Sequence, residues 1–149
     1  MLSSPLHPLL VHFPIALLII GVIAQYLALW KEDYFEKIAL FLLPTGFVFG
    51  VVSYITGDGA EGYAFDHWGR QVESIIHTHE TYALITLFIF GGVVALKLLR
   101  LFMPFKWIKP IVLVLCLGGL ITLTLTGHYG GKIVYDHQAS PSTQVTSNF

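Results

Sequence analysis

Charged residues and cysteine are scarce in this chain. Asp, Glu, Lys and Arg make up only 11% of its 149 residues, whereas 55% are hydrophobic, and the mean hydropathy is +0.73. This balance excludes an ordinary soluble domain and predicts an integral membrane protein. The single cysteine, Cys116, excludes an intrachain disulfide. Because it lies within an apolar run, we expect a small core residue there.

Charge is almost absent from four long apolar runs, at residues 12–30, 38–55, 82–96 and 108–126. Lys109, near the start of the fourth run, is the one charged residue within them. At about 1.5 Å per residue, such runs come close to the roughly 30 Å hydrocarbon core of a bilayer. The third does so only if its helix continues past the run at both ends. Because an unpaired peptide group in lipid costs several kcal/mol, helices are the expected way across.

The predicted fold is an all-α, four-transmembrane-helix up-down bundle. Residues 1–137 are predicted to form a single membrane domain, and the polar, unpatterned residues 138–149 a C-terminal tail. Residues 57–69 contain four glycines and predict a loop. Helical spacing resumes after this loop, so we expect the third helix to begin near Arg70 or Gln71. Glycines within the spans indicate close helix packing.

Basic residues mark one end of the predicted bundle, called the basic end below. No basic segment precedes the first run, as it would in a cleavable signal peptide, so we expect this run to remain as a helix. Under the positive-inside rule the basic end is cytoplasmic, which places both termini on the periplasmic side of a bacterial inner membrane. This outer side is acidic, with Arg70 and Lys132 as its cations. The residues of the basic end are Lys31, Lys37, Lys97, Arg100, Lys106 and Lys109.

No histidine lies in the segments that are predicted to form the cytoplasmic half of the bundle. This absence excludes a pair of haems that passes electrons across the bilayer, because each haem would need its own histidine pair. Neutral imidazole is a common metal ligand, and helical bundles build such sites from side chains on facing helices. The predicted outer side holds all seven histidines, which are His7, His12, His67, His77, His79, His128 and His137.

Three of these histidines come from three different helices at similar depth, and they are the leading candidate ligands. They are His12, His79 and His128. Pro8 disfavours a regular helix through both His7 and His12. We therefore expect His7 in a lead-in segment and His12 at the top of the bundle.

Four segments of the chain, HPLLVHFPIALL, TGDG, HTHETYAL and TGHYGGKIVYDH, together resemble the bacterial membrane domain-of-unknown-function family 2231. The similarity covers nearly the whole chain. It implies a four-helix membrane domain found beside or fused to cytochrome and other redox modules, with haem as a suspected ligand. Gln138 stands where relatives often have a glycine. The family motif maps onto His7, His12, His79, His128, Gly130, Gly131, Tyr135 and His137.

The leading hypothesis is a single haem b near the outer face, with His12 and His79 as axial ligands and His128 as the substitute. We expect it to carry electrons between a quinone and a periplasmic cytochrome or another redox subunit. Two cations are candidates to pair with haem propionates, and a tyrosine is a candidate hydrogen-bond donor. An ordinary ion pair remains open for the two cations, and a position in the interfacial aromatic belt remains open for the tyrosine. These supporting groups are Arg70, Lys132 and Tyr135.

Two further functions remain open. One is a non-haem zinc, copper or iron site built from the ligands His7, His12, His79 and His128. The other is a cofactor-free accessory subunit whose histidines and acidic groups form a pH-sensitive docking surface. A homo-oligomer also remains open. No nucleic acid is expected as a partner, and neither a mid-membrane ionisable group nor a paired nucleophile and base indicates a transporter or an enzyme.

Overall fold

The computed structural model describes residues 7–103 and 105–135, and every element within these ranges is helical. The predicted polar tail and His137 lie outside the described residues. A 3-10 turn, Arg70–Val72, precedes the longest helix. The α-helices are α1 (His7–Leu10), α2 (His12–Leu27), α3 (Glu32–Ile55), α4 (Gly57–Trp68), α5 (Glu73–Phe102) and α6 (Ile108–Tyr135).

Four helical segments are long and apolar enough to cross a bilayer, as the sequence predicted. The first span combines α1 and α2, and the others are α3, α5 and α6. Helix α5 extends beyond the third apolar run at both ends, which gives it the length that a span requires. Large apolar side chains such as Phe41, Phe88 and Val114 are exposed along the outside of the bundle. An apolar outer surface is suited to lipid, so the predicted four-helix membrane bundle is confirmed.

The first span contains a break between α1 and α2. Val11 keeps a helical backbone conformation, with φ −64° and ψ −22°, but belongs to neither helix. Pro14 lacks the N–H that would bond to the carbonyl of Leu10, so the hydrogen-bond ladder is interrupted at this turn. The backbone N–H of Val11 bonds to the His7 carbonyl at 3.0 Å, which keeps the two helices in continuity.

The prediction of a loop at residues 57–69 is wrong, because most of this segment forms α4. Glycine disfavours helix by about 1 kcal/mol per residue, but packing overrides that preference here. Ala64 is buried against Val72 and Ile76 in a small apolar cluster. Gly69, at φ +72°, then ends α4 in a conformation that other residues rarely adopt. Helix α5 begins at Glu73, close to the predicted start of the third helix.

The bundle consists of two helical hairpins, α2 with α3 and α5 with α6, which pack together through α3–α5 and α2–α6 contacts. Glycines let the first hairpin close tightly. A Cβ atom at Gly46 would lie 2.9 Å from Cγ of Leu18, and one at Gly21 would lie 2.8 Å from Cδ2 of Leu43. The predicted role of the span glycines in close packing is confirmed at these two positions. The apolar core between the hairpins includes Leu18, Leu43, Phe90, Val93, Val112 and Cys116.

At the basic end, the ammonium group of Lys97 is buried inside the bundle, with its side chain only 1% exposed. It donates to Glu36 Oε1 at 2.6 Å and to Gln25 Oε1. Gln25 Nε2 donates in turn to Glu36 Oε2 at 3.0 Å. From the sequence, Lys97 was expected beside the loop with the other basic residues. In the structure it is buried, because its partners Glu36 and Gln25 lie on facing helices of the bundle. This polar cluster joins α2, α3 and α5.

We expect Gly46→Ala to lower the free energy of unfolding by about 1–3 kcal/mol, the usual range for overpacking. The added methyl would press on Leu18 Cγ and on Leu17 Cβ, which lies 3.1 Å away and cannot rotate aside. Gly118→Ala is the matched control, because a Cβ there meets nothing within 4 Å. The melting temperatures of the two variants are measured by thermal unfolding of the detergent-solubilised protein. Equal melting temperatures for the two variants would contradict the packing described above.

Lys97→Met should lower the free energy of unfolding by about 3 kcal/mol, because it leaves a partly buried carboxylate without its main partner. The effect should be at the lower end of the range for buried pairs, since Arg100 remains 3.5 Å from Glu36. Adding Glu36→Met should recover most of the loss. Lys37→Met, at an exposed position on the same end, is the control. The melting temperatures of the variants are compared by thermal unfolding in detergent. If Lys97→Met were as stable as Lys37→Met, a structural role for the cluster would be refuted.

Candidate functional site

His7 and His79 meet at the end of the bundle opposite the basic end, called the histidine end below. Their ring centres are 6.3 Å apart and their ring planes are inclined at 85°. His7 is the first residue of α1, and His79 lies in the second turn of α5. Both side chains are partly buried. Two helices that are distant in sequence thus bring two imidazoles into one site.

Each of the two rings is fixed by a hydrogen bond to the backbone of another helix. His7 Nδ1 donates to the Ser53 carbonyl at 2.8 Å, and His79 Nδ1 donates to the Thr126 carbonyl at 2.9 Å. A carbonyl oxygen can only accept, so Nδ1 carries the proton, and Nε2 of a neutral ring keeps its lone pair. Metal-ligating histidines are usually oriented in this way. The site therefore presents two oriented imidazoles whose Nε2 atoms have no hydrogen-bond partner among the described residues.

The backbone of α3 next to His7 carries further polar groups. Thr56 Oγ1 donates to the same Ser53 carbonyl at 2.9 Å. The Ser53 residue is only 5% exposed, and its hydroxyl has no hydrogen-bond partner among the described residues. An unpartnered buried hydroxyl costs about 1–3 kcal/mol.

Glycine at position 130 allows α6 to approach the His79 ring. A Cβ atom there would lie 3.2 Å from Cε1 and 3.3 Å from Nδ1 of His79. By contrast, a Cβ at Gly131 would meet nothing within 4 Å. Gly57 lies near the other ring, with its Cβ position 3.9 Å from Cε1 of His7. Gly130 is therefore the glycine whose lack of a side chain positions a candidate ligand.

The other candidate ligands named from the sequence lie elsewhere. His12 is exposed, and its Nδ1 donates to the Pro8 carbonyl at 2.7 Å. His128 is also exposed, and its ring edge contacts the neighbouring Tyr129 at 5.4 Å between ring centres. Within the described ranges, no three His, Cys, Asp or Glu side chains form a group that could hold a metal ion. The structure thus brings His7, expected in a lead-in segment, against His79 and leaves His12 on the surface.

The predicted supporting groups also lie at the surface of the histidine end. Arg70 is exposed in the 3-10 turn before α5, and Tyr135 is exposed at the end of α6. The ammonium of Lys132 lies 5.9 Å from the ring centre of Tyr129. Tyr129 in turn stacks on Tyr82.

A family model confirms the resemblance that the end motifs suggested. It is described as a predicted membrane protein, DUF2231, and it matches residues 3–142. The chain belongs to this family. The matched range includes both histidines of the pair, together with Gly130 and Gly131. No curated protein and no solved structure matches the chain.

Three polar residues of the site were not predicted from the sequence of this DUF2231 member. Ser53 and Thr126 orient the histidines through their carbonyl oxygens, and Thr56 caps the Ser53 carbonyl. Every residue has a carbonyl, so a backbone acceptor has no sequence signal. The hydroxyl of Ser53, in an otherwise apolar run, was the one available signal, because buried polar groups in spans need partners.

Gly130→Ala should displace the His79 ring and weaken its hydrogen bond to Thr126, because the new methyl would stand within 3.3 Å of Nδ1. The Nδ1 proton signal of His79, observed by imidazole ¹⁵N NMR and assigned with His79→Gln, should then move upfield. Gly131→Ala is the matched control and should leave that signal in place. An identical response to the two substitutions would show that the close approach of α6 at Gly130 does not position the ring.

Proposed function

We propose that this membrane protein holds a single haem b between His7 and His79 and carries electrons at the histidine end of the bundle. The proposal rests on the pair of imidazoles, each with Nδ1 bonded to a carbonyl and with no partner for Nε2 in the part of the chain that the structure describes. The pair differs from the sequence hypothesis in one ligand, since His7 replaces His12.

The spacing of the two rings supports one iron between them. Imidazoles that bind one metal ion do so through nitrogen atoms about 2.0 Å from it. The 6.3 Å between the ring centres of His7 and His79 is short enough for both rings to reach one iron. The carbonyl bonds hold the rings in place before any ligand binds, which reduces the reorganisation that binding requires.

The number of imidazoles favours haem over a bare ion. Protein sites for zinc, copper or non-haem iron use three or more side-chain ligands. Haem supplies its own four nitrogens and takes axial ligands from the protein. In the part of the chain that the structure describes, only His7 and His79 come together, and no third ligand of the metal-binding types completes a group. His7 and His79 would supply the two protein ligands that such a haem takes.

Electron transfer is the role that this ligand set supports. A haem held by both His7 and His79 would supply an iron that can be oxidised and reduced, and neither histidine would be left to act on a substrate. The basic end faces the cytoplasm in our proposal, because Lys37, Arg100 and Lys106 lie there. The histidine end then faces the periplasm. A quinone in the bilayer and a periplasmic redox protein are the proposed partners.

Replacing either histidine of the pair should abolish haem binding. His7→Ala and His79→Ala remove an axial ligand each, so the Soret band of the purified protein should fall at least tenfold, roughly the loss expected for a ligand change. His12→Ala and His128→Ala are the matched controls, since both side chains are exposed, and they should keep normal haem content. The protein is purified without a histidine tag, and size-exclusion chromatography in detergent checks that each variant is folded.

A different pattern of loss would overturn the proposal. Normal haem in His7→Ala and His79→Ala would reject this axial pair. A colourless wild-type protein with stoichiometric zinc, copper or iron, lost in the same two variants, would assign the site to a bare ion instead. A colourless and metal-free protein would favour the accessory-subunit hypothesis.

A further inference from the structure

The basic end contains a cavity that the proposed function does not use. Its volume is about 310 Å³. It lies beside the start of α3, where α5 ends and α6 begins. The residues that line it are Glu32, Arg100, Phe105, Lys106 and Lys109.

Two of the cations in the cavity are fixed by one carboxylate. Arg100 Nη2 lies 2.6 Å from Glu32 Oε1, and Lys109 Nζ lies 3.0 Å from Glu32 Oε2. Arg100 Nη1 is also 3.5 Å from Glu36. Because these contacts hold the two side chains in place, the cavity wall presents its positive groups in a defined arrangement. An anion that binds there would restrict these two side chains little further.

The cavity has more positive charge than its own carboxylate can neutralise. Three cations line it against one acidic group, Glu32, which leaves a formal charge of +2. The nearby carboxylate of Glu36 does not remove this excess, because the buried Lys97 already pairs with it. Lys106 is exposed and makes no ion pair within the described ranges. The cavity is therefore suited to an anion.

The position of the cavity indicates which anion it meets. The ends of α5 and α6 lie at the limits of two membrane spans, so the cavity is at the depth of the lipid headgroups. Phe105 lines the cavity and is exposed, as are Phe102 and Trp107, which lie near it in the sequence. Aromatic side chains are typical of this interfacial layer. A ligand with a phosphate above acyl chains would contact the cations and this apolar surface together.

We propose that the cavity binds the phosphate of an anionic phospholipid. Basic pockets between spans on the cytoplasmic side are suited to such headgroups. The bound lipid would bridge the start of α3 and the α5–α6 turn, through Lys106 and the two cations that Glu32 holds. This proposal does not depend on the haem, because it concerns the opposite end of the bundle.

Native mass spectrometry of the intact protein in a neutral detergent tests the proposal with two lipids of identical acyl chains. The wild type should bind phosphatidylglycerol more tightly than phosphatidylcholine. Lys106→Gln should weaken phosphatidylglycerol binding about fivefold, the effect of one surface cation. Lys106 makes no ion pair in the described ranges, so the variant should keep the wild-type melting temperature. Lys37→Gln removes the same charge from an exposed position outside the cavity and should bind like the wild type.

Competition with inorganic phosphate separates a lipid site from a phosphate site. Sodium phosphate should displace phosphatidylglycerol no better than sodium chloride of equal ionic strength, because the free anion lacks the apolar contacts. Displacement by phosphate at millimolar concentration would assign the cavity to the free anion and overturn the lipid proposal. Equal losses in Lys106→Gln and Lys37→Gln would overturn it too, since they would indicate general attraction to a charged surface. Equal binding of the two lipids by the wild type would have the same consequence.

Discussion

Inside a bilayer no water is available to pair a polar group, so each polar group that the bundle buries needs a partner from the protein. The Nδ1 groups of His7 and His79 bond to carbonyls of α3 and α6, and the ammonium of Lys97 bonds to Glu36 of α3 and Gln25 of α2. These bonds tie the helices together at both ends of the bundle. Apolar packing and close glycine contacts, such as that at Gly46, occupy the length between them.

The same constraint gives the two ends different chemistry. At the histidine end, the hydrogen bonds use the Nδ1 side of each ring, so among the described residues the Nε2 atoms keep no partner of their own. At the basic end, Glu32 and Glu36 are already paired with cations. The cations that line the cavity therefore outnumber its carboxylate. One end is suited to a cofactor that two imidazoles hold, and the other to an anionic headgroup. Structural hydrogen bonds thus select which groups remain available for binding.

The spans and the family could be predicted from the sequence because both depend on local features. Apolar length determines a span, and the end motifs carry the family resemblance. The choice of His7 over His12 could not be predicted, because it depends on the break at Val11 and on a carbonyl of α3. Helix α4 was missed because the cluster around Ala64 forms only when α5 packs against it. The burial of Lys97 likewise depends on a partner from another helix.

In the proposed function, His7 and His79 hold one haem between them. The most direct measurement is the absorption spectrum of the detergent-purified wild-type protein, oxidised and then reduced with dithionite, with iron determined on the same sample. We expect a Soret band, sharp reduced α and β bands typical of a six-coordinate haem b, and one haem per chain. A visible spectrum that stays flat in both redox states would contradict it.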